Sequence, residues 1–529
     1  MTRTLRAWAW LAPCVLLLAG CSSNTKSPDP DADPSPWPSL PENGDAVDEG
    51  ALAPCRYVPT AESACGDLPA FDLAKCGLST LGSAPTEGVY ILKSRAVSSA
   101  SSSGGVMLAS AMHLANGGNP SIVAGAPATK EQRDSQSLYL RRDGTLSDGT
   151  TTRTAYAGCQ VSSEGLLSGC YATCRNGQVR SYGTFQALRA SRLKGEQESE
   201  GLQLVSESFV SLGLPVDVYV AKGHAYVVSL NANGRTGGLS VFDVADKAHP
   251  VFRRTVTLPG DSYWNDVWSK GDALYVASAT HGVLLFDISQ PAEPVFLRSL
   301  PEDSIDVHTV FIDGDRLYAM SPGPRAETLL FDISQPLAPV LLNRFTAPGG
   351  QTTGYTHDAF VYQGRLYINH WDLGYLIEDV SDPSNVHQLG KYVYAHQSSH
   401  ANAVGTFAGR TVAFEGGEGF DAHLRVLDVT YPTKVVKIGE WRLRSQHSIH
   451  NMVLVGTRLY IAHYQEGVRV LDVSEPSQPR QIAYFNTFRE TDFERGYSFY
   501  EGAIGMRVPG DGYVYVVDTS RGLLIFREP

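Results

Sequence analysis

An aspartate that closes an apolar strand returns six times in the C-terminal part of the chain, at Asp243, Asp287, Asp332, Asp379, Asp428 and Asp472, with spacings of 44, 45, 47, 49 and 44 residues. Four of them stand in one local phrase: Asp287-Ile288-Ser289-Gln290-Pro291, Asp332-Ile333-Ser334-Gln335-Pro336, Asp379-Val380-Ser381-Asp382-Pro383 and Asp472-Val473-Ser474-Glu475-Pro476. Asp and Ser side chains accept backbone N–H groups two residues on, and Pro presets the next dihedral, so the phrase encodes a turn and its aspartates are structural. Each period also offers four short strands. Val310-Phe311-Ile312 leads through Asp313-Gly314 to Arg316-Leu317-Tyr318, and Leu329-Leu330-Phe331 and Val340-Leu341-Leu342 follow. Such a unit cannot bury its own apolar face and must stack on its neighbours; four strands in a period of this length make one blade of a β-propeller.

Six periods carry the Asp. A seventh runs from Glu501 through Tyr513-Val514-Tyr515-Val516-Val517 to Leu523-Leu524-Ile525-Phe526, where Arg527 takes the Asp place and the chain stops one strand short. The run Ser208-Phe209-Val210-Ser211-Leu212, ahead of the first period, is expected to supply that strand and so close the ring without an open edge. The expected fold is therefore all-β: a seven-bladed β-propeller over residues 201–529 whose N-terminal strand closes the last blade. A β-helix or sandwich is the architectural alternative. The strand-three sequences Val283-Leu284-Leu285-Phe286-Asp287 and Val468-Arg469-Val470-Leu471-Asp472 resemble those of the LVIVD-repeat propellers, over roughly residues 202 to 529. That resemblance implies propeller architecture and little agreed biochemistry.

The chain begins with Arg3 and Arg6, an apolar run from Ala7 to Leu18, and Leu18-Ala19-Gly20-Cys21. Residues 1–20 read as an export signal. The ending resembles the lipobox of bacterial lipoproteins, which implies a diacylated Cys21 as the new N-terminus. Ser22 after it resembles the lipoproteins passed on to the outer membrane, so the expected location is the bacterial cell envelope, with the membrane as a partner through the lipid. In residues 21–50, Pro and Asp among Ser and Gly leave almost no aliphatic side chain to bury, and a flexible tether is expected.

Residues 51–200 hold short alternating runs, such as Gly88-Val89-Tyr90-Ile91-Leu92, and six cysteines: Cys55, Cys65, Cys76, Cys159, Cys170 and Cys174. An even number before residue 175 and none after it reads as a small disulfide-linked β-rich domain in an oxidising compartment. Fifteen pairings are possible. A metal role for Cys170-x-x-x-Cys174 is the weaker reading, since thiols oxidise outside the cytoplasm. The net charge of −12 argues against a phosphate-tracking surface and excludes nucleic acid as the expected partner.

Thirteen of the fourteen histidines follow residue 201, and they recur at fixed places in the period. Ten residues before the second-strand Tyr stand Val216, Asn265, His308, His357 and His450; the fifth blade offers His400 and the seventh Glu501. A second series, three residues after the Tyr, is Ser229, Ser278, Ser321, His370, Glu415, His463 and Asp518. Strand two returns to the side where strand one began, so both series are expected at one mouth of the channel, paired as His357 with His370, His400 with Glu415, His450 with His463 and Glu501 with Asp518. Imidazoles converging with carboxylates suit a divalent transition ion such as zinc, manganese or iron, and hydrolase or lyase chemistry through a metal-bound water could follow. The bland reading is that such residues bond water and neighbouring strand ends. Trp264, Tyr355, Trp371, Tyr464, His396 and His447 are expected at the rim, where rings could meet a polysaccharide or an envelope protein. Two functions follow: a binding or scaffolding module, or a metal-dependent enzyme. No His-Glu-x-x-His, nucleophile elbow or phosphate loop is present, and Gly416-Gly417-Glu418-Gly419 reads as a blade turn.

Overall fold

The structure, a computed structural model, describes residues 34–59, 64–85, 87–97, 106–116, 118–302, 304–350 and 355–529. The leader and Cys21 lie outside these residues. Seven antiparallel sheets form the propeller ring. The first five blades are consecutive four-stranded meanders, starting with Leu214–Ala221, His224–Leu230, Gly238–Asp243 and Val251–Val256. The last blade combines Ala503–Arg507, Tyr513–Asp518 and Gly522–Arg527 with a strand from the start of the ring, as expected. That closing strand is Gln203–Ser208, a few residues earlier than the apolar run suggested. Val210 and Leu212 of that run are buried instead, as the chain turns inward to blade 1. Blade 6 gains a fifth strand, Ser199–Glu200, paired with Phe485 and Tyr484.

The repeated phrase does what its chemistry requires. Asp287, Asp332, Asp379 and Asp472 each accept the N–H of the Ser two residues on, at 2.7, 2.8, 2.9 and 3.0 Å. Its prolines also tie blades together: Tyr226 donates to the Pro291 carbonyl (2.9 Å) and Tyr275 to that of Pro336 (2.6 Å), each reaching into the next blade. These tyrosines are fully buried among Val, Leu and Phe of adjoining blades, so the core lies between blades.

The cysteine-bearing region is one curled antiparallel sheet of nine strands, with central members Gly88–Ala96, Gln178–Arg189, Leu167–Arg175 and Thr151–Val161. Disulfides Cys55–Cys170, Cys65–Cys174 and Cys76–Cys159 strap the preceding segment across one face of it. All six thiols are consumed, so Cys170 and Cys174 hold no metal. The domain packs on the ring through Val89, Ile91 and Ala111 against Phe420, Phe488 and Phe499.

Residues 34–50, the described part of the expected tether, are not a free linker. Arg425, fully buried in blade 5, bonds Glu42 at 3.0 Å and Asp45 at 2.7 Å. Leu40 N–H donates to the Lys437 carbonyl (2.9 Å), and Trp37 packs on the blade 5 core. A desolvated guanidinium requires acids around it, and this segment supplies two, which composition alone does not reveal.

Candidate metal centre at the channel mouth

The innermost strands carry a repeated irregularity. Their register with strand two shifts between Pro215 and Asp217, Trp264 and Val267, Thr356 and Asp358, Ser399 and Ala401, and Ala503 and Gly505. A bulge inserts one residue and re-aims its side chain. The re-aimed residues include Val216, Asn265, His357, His400 and Ile504, and these line one cavity with His308 and His450, which precede the inner strands of blades 3 and 6. The cavity is ≈ 580 Å³ and opens at one mouth of the channel.

Four imidazoles of four consecutive blades run along its floor. His308 Nε2 lies 3.0 Å from His357 Nε2; the His357 and His400 ring centroids are 3.8 Å apart, and those of His400 and His450 are 4.5 Å apart. The tautomers of two of them are fixed by carbonyls of the next blade. His400 Nδ1 lies 3.1 Å from the His450 carbonyl and His450 Nδ1 2.8 Å from the Ile504 carbonyl. A carbonyl can only accept, so each Nδ1 carries the proton and each Nε2 keeps its lone pair. Those lone pairs face Glu418, whose carboxylate oxygens lie 3.6 Å from His400 Nε2 and 4.0 Å from His450 Nε2. One ligand atom each from His357, His400 and Glu418 falls within 4.8 Å of the others, and all three residues are buried. His357 Nδ1 and His400 Nε2 have no hydrogen-bond partner.

Burial holds every one of these imidazoles neutral. It lowers His308 to about 4 and His450 to about 3, and it puts His357 and His400 well below the ordinary range, helped by the neighbouring histidines. Burial also raises Glu418 to about 7, opposed by the hydrogen bond that Tyr464 donates to it. Neutral nitrogen donors around one carboxyl are the donor set of a borderline divalent ion. Tyr355 OH, 3.2 Å from His308 Nδ1, and Asn265 Nδ2, 3.0 Å from the His308 carbonyl, hold the first imidazole in place. Tyr355, Trp371 and Tyr464 line the cavity, together with Tyr263 and Tyr500.

The second series does not reach the cavity. It lies one strand farther from the axis, where three of its members cap the turn from strand two to strand three. Ser278 Oγ accepts from the N–H of Thr280 and His281, His370 Nδ1 from Leu373 N–H (3.3 Å), and Asp518 Oδ1 from Ser520 and Arg521 N–H. Glu415 accepts from Tyr394 OH and Ser399 OH, beside Arg425, and burial raises its pKa. His463 is buried near Trp441, with ring centroids 6.1 Å apart. Although burial raises the Asp518 carboxyl, Arg495 at 2.7 Å holds it below the usual range. The pairings of His357 with His370, His400 with Glu415 and His450 with His463 therefore form no shared site.

Glu501, the residue expected for blade 7, also lies outside the cavity. The seventh inner strand begins at Ala503 and its bulge falls on Ile504, so Glu501 turns back and accepts the N–H groups of Gly496, Tyr497 and Ser498 at 2.7 to 2.8 Å. Three rim residues lie elsewhere. Trp264 is fully buried with its indole N–H on Asp261 (2.9 Å), His447 bonds Glu466 (2.8 Å), and His396 is exposed in a loop outside the cavity lining. Glu418 was the site residue that sequence reasoning missed. Its signal was a lone acid in the glycine-rich strand end of the blade that also bears His400.

Below the imidazoles the channel changes character. Arg507 reaches Asp217 at 3.1 Å and Asp266 at 3.3 Å, within a ≈ 450 Å³ cavity toward the other mouth. Burial raises Asp217 well above the usual carboxylate range against the opposing Arg507, and raises Asp358 to about 7.

The fold and repeats define a seven-bladed β-propeller repeat protein. The LVIVD repeat is matched over residues 261–300, 353–394 and 450–487, which fall in blades 2, 4 and 6. No curated protein matches the chain. Among solved structures, the crystal structure of the WD40 β-propeller domain of Doa1 is similar at 12% identity, with a TM-score of 0.46, over 62% of this chain and 98% of that one.

Proposed function

We propose that this protein binds a divalent transition ion at the channel mouth with His357, His400, His450 and Glu418, with His308 adjoining, and that the ion is the working part of a small-molecule binding or metal-dependent catalytic site. The observation that carries this reading is the pair of Nε2 lone pairs, on His400 and His450, held toward one buried carboxylate by carbonyls of the next blade. Zinc, iron and manganese are the candidate ions; imidazoles in the majority favour the first two. If the site is catalytic, the ion polarises an oxygen or lowers the pKa of a bound water, and hydrolase or lyase chemistry follows. In the same reading the protein is exported and anchored through a lipid on Cys21 to the outer membrane. The Leu18-Ala19-Gly20-Cys21 ending and the three disulfides support that placement.

Metal content by mass spectrometry tests it, on the chain expressed from Ser22 onward and on its His400→Ala, His450→Ala double variant. About one ion per chain, lost in a variant that still folds, is the expected result. No ion in either protein, after purification without chelator and an attempted reload, overturns the metal reading. The propeller would then be a scaffold for a polysaccharide or envelope protein.

A further inference from the structure

The cup above the imidazoles is selective by what it lacks. Among the described residues, neither Lys nor Arg lines it, while Asp372 and Glu418 do. A phosphorylated or polycarboxylate ligand would meet carboxylates and dipoles everywhere except at the ion, and the charge beyond that one contact would go unanswered. The walls are aromatic. Tyr355 and Trp371, ring centroids 6.1 Å apart, stand on the blade 4 side; Tyr464 and Tyr500, 5.8 Å apart, stand on the side of blades 6 and 7.

Three polar groups of the cup are engaged already. Tyr464 OH donates to Glu418, Tyr355 OH is taken by His308, and Ser498 Oγ accepts Tyr500 N–H at 3.1 Å. A sugar, with a hydroxyl on nearly every carbon, would turn several of them against these ring faces, and each buried hydroxyl left unpaired opposes binding. A flat apolar ring with a single donor atom loses nothing in this way, and the rings offer it offset or edge contacts on both sides.

We propose, resting on the metal reading above, that the cup takes an uncharged monohydroxylated aromatic, a phenol, with its ring between the Tyr355–Trp371 and Tyr464–Tyr500 walls and its oxygen directed at the ion. Tyr500 is the specificity residue that metal binding does not need: it stands at the rim, 39% exposed, and touches no imidazole.

The test uses the chain from Ser22 onward, loaded with cobalt(II), whose visible bands report changes in coordination. Phenol, phenyl phosphate and methyl glucoside are titrated separately, with tryptophan fluorescence as a second readout. Phenol is expected to shift the cobalt bands and to bind at least about tenfold more tightly than either competitor, a difference of about 1.4 kcal/mol. Tyr500→Ala should weaken phenol binding several-fold and leave cobalt stoichiometry unchanged; His400→Ala should abolish cobalt uptake. Cobalt uptake with phenol no tighter than methyl glucoside or phenyl phosphate overturns the ligand class and leaves the metal reading standing. Absence of cobalt uptake overturns both, since the oxygen then has no ion to meet. Phenol binding that is unchanged in Tyr500→Ala removes the proposed wall.

Discussion

His357 and His400 lie across the junction of blades 4 and 5 with ring centroids 3.8 Å apart, and each keeps one buried ring nitrogen without a hydrogen-bond partner. Two orphaned nitrogens oppose folding unless a third party satisfies them. An ion that binds the folded chain alone would do so, and its stabilisation grows with occupancy. At a free zinc concentration a hundredfold above Kd, the gain is about 2.7 kcal/mol. Thermal unfolding with zinc and after chelation should therefore differ by several degrees in the wild-type chain. His400→Ala should erase that difference by weakening the ion at least about a hundredfold, since it removes a ligand rather than its support. An equal zinc shift in wild type and variant would place the ion elsewhere.

Glu501 gives the contrasting result. Its carboxylate gathers three backbone N–H groups of the 496–498 loop, and that loop presents Ser498 and Tyr500 to the cup. Burial pushes Glu501 up to about 7, against Arg495 and those N–H groups. Glu501→Ala leaves the donors without an acceptor and should cost about 1–3 kcal/mol of stability, read by chemical denaturation, while ion stoichiometry stays the same. Loss of the ion in this variant would restore Glu501 to the metal set.

The repeat exposed the blades because an Asp closing strand three returns in six periods and a second-strand Tyr in six, and the structure buries each of those tyrosines. It also located the imidazoles, because the position counted from that Tyr falls on the bulge of the inner strand in blades 1, 2 and 4 and just ahead of that strand in blades 3 and 6. Periodicity failed where a blade departs from its neighbours. In blade 7 a count of ten back from Tyr515 falls on Gly505, one past the bulge at Ile504, and Glu501, the residue expected there, lies ahead of the inner strand. The second series shares the side of the ring but not its radius, and a one-dimensional count carries no radius. Glu418 escaped because an acid beside glycines has the signature of a turn. The disulfide pairing and the docking of residues 34–50 on Arg425 depend on contacts between distant segments that no local pattern encodes.

Arg425 offers a test of that docking. It is fully buried and bonds Glu42 and Asp45, with Glu415 at 3.8 Å. Arg425→Met strands these acids and should destabilise the protein by about 3–5 kcal/mol, whereas Glu42→Gln, at the edge of the cluster, should cost much less. The edge residue also titrates. Burial opposes ionisation of Glu42, yet the hydrogen bond and charge of Arg425 hold its carboxyl at about 2, below the 4.5 of a free Glu. A depressed folded value means that its stabilisation is complete above the free value and disappears as pH falls toward 2. Melting curves between pH 4.5 and 2 should fall less steeply for Glu42→Gln than for wild type; parallel acid limbs would show that the ion pair adds nothing.

Glu378 is an acid in a place built for an apolar side chain. The strand-three position before the closing Asp holds Phe286, Phe331, Leu427 and Leu471 in other blades, all buried in the layers between blades. Glu378 is 3% exposed there, its Oε1 has no hydrogen-bond partner, and burial pushes its pKa up to about 8. The folded chain therefore binds a proton that the unfolded chain releases near 4.5. Stability must fall as pH rises from the free value to the folded one. Glu378→Leu removes that linkage and fills the layer, so it should unfold at a higher temperature than wild type. The difference should be small near pH 4.5 and grow to on the order of 3 kcal/mol by pH 8. A variant whose advantage does not change with pH would show that Glu378 stays ionised in the fold, with a counter-charge or water reaching it.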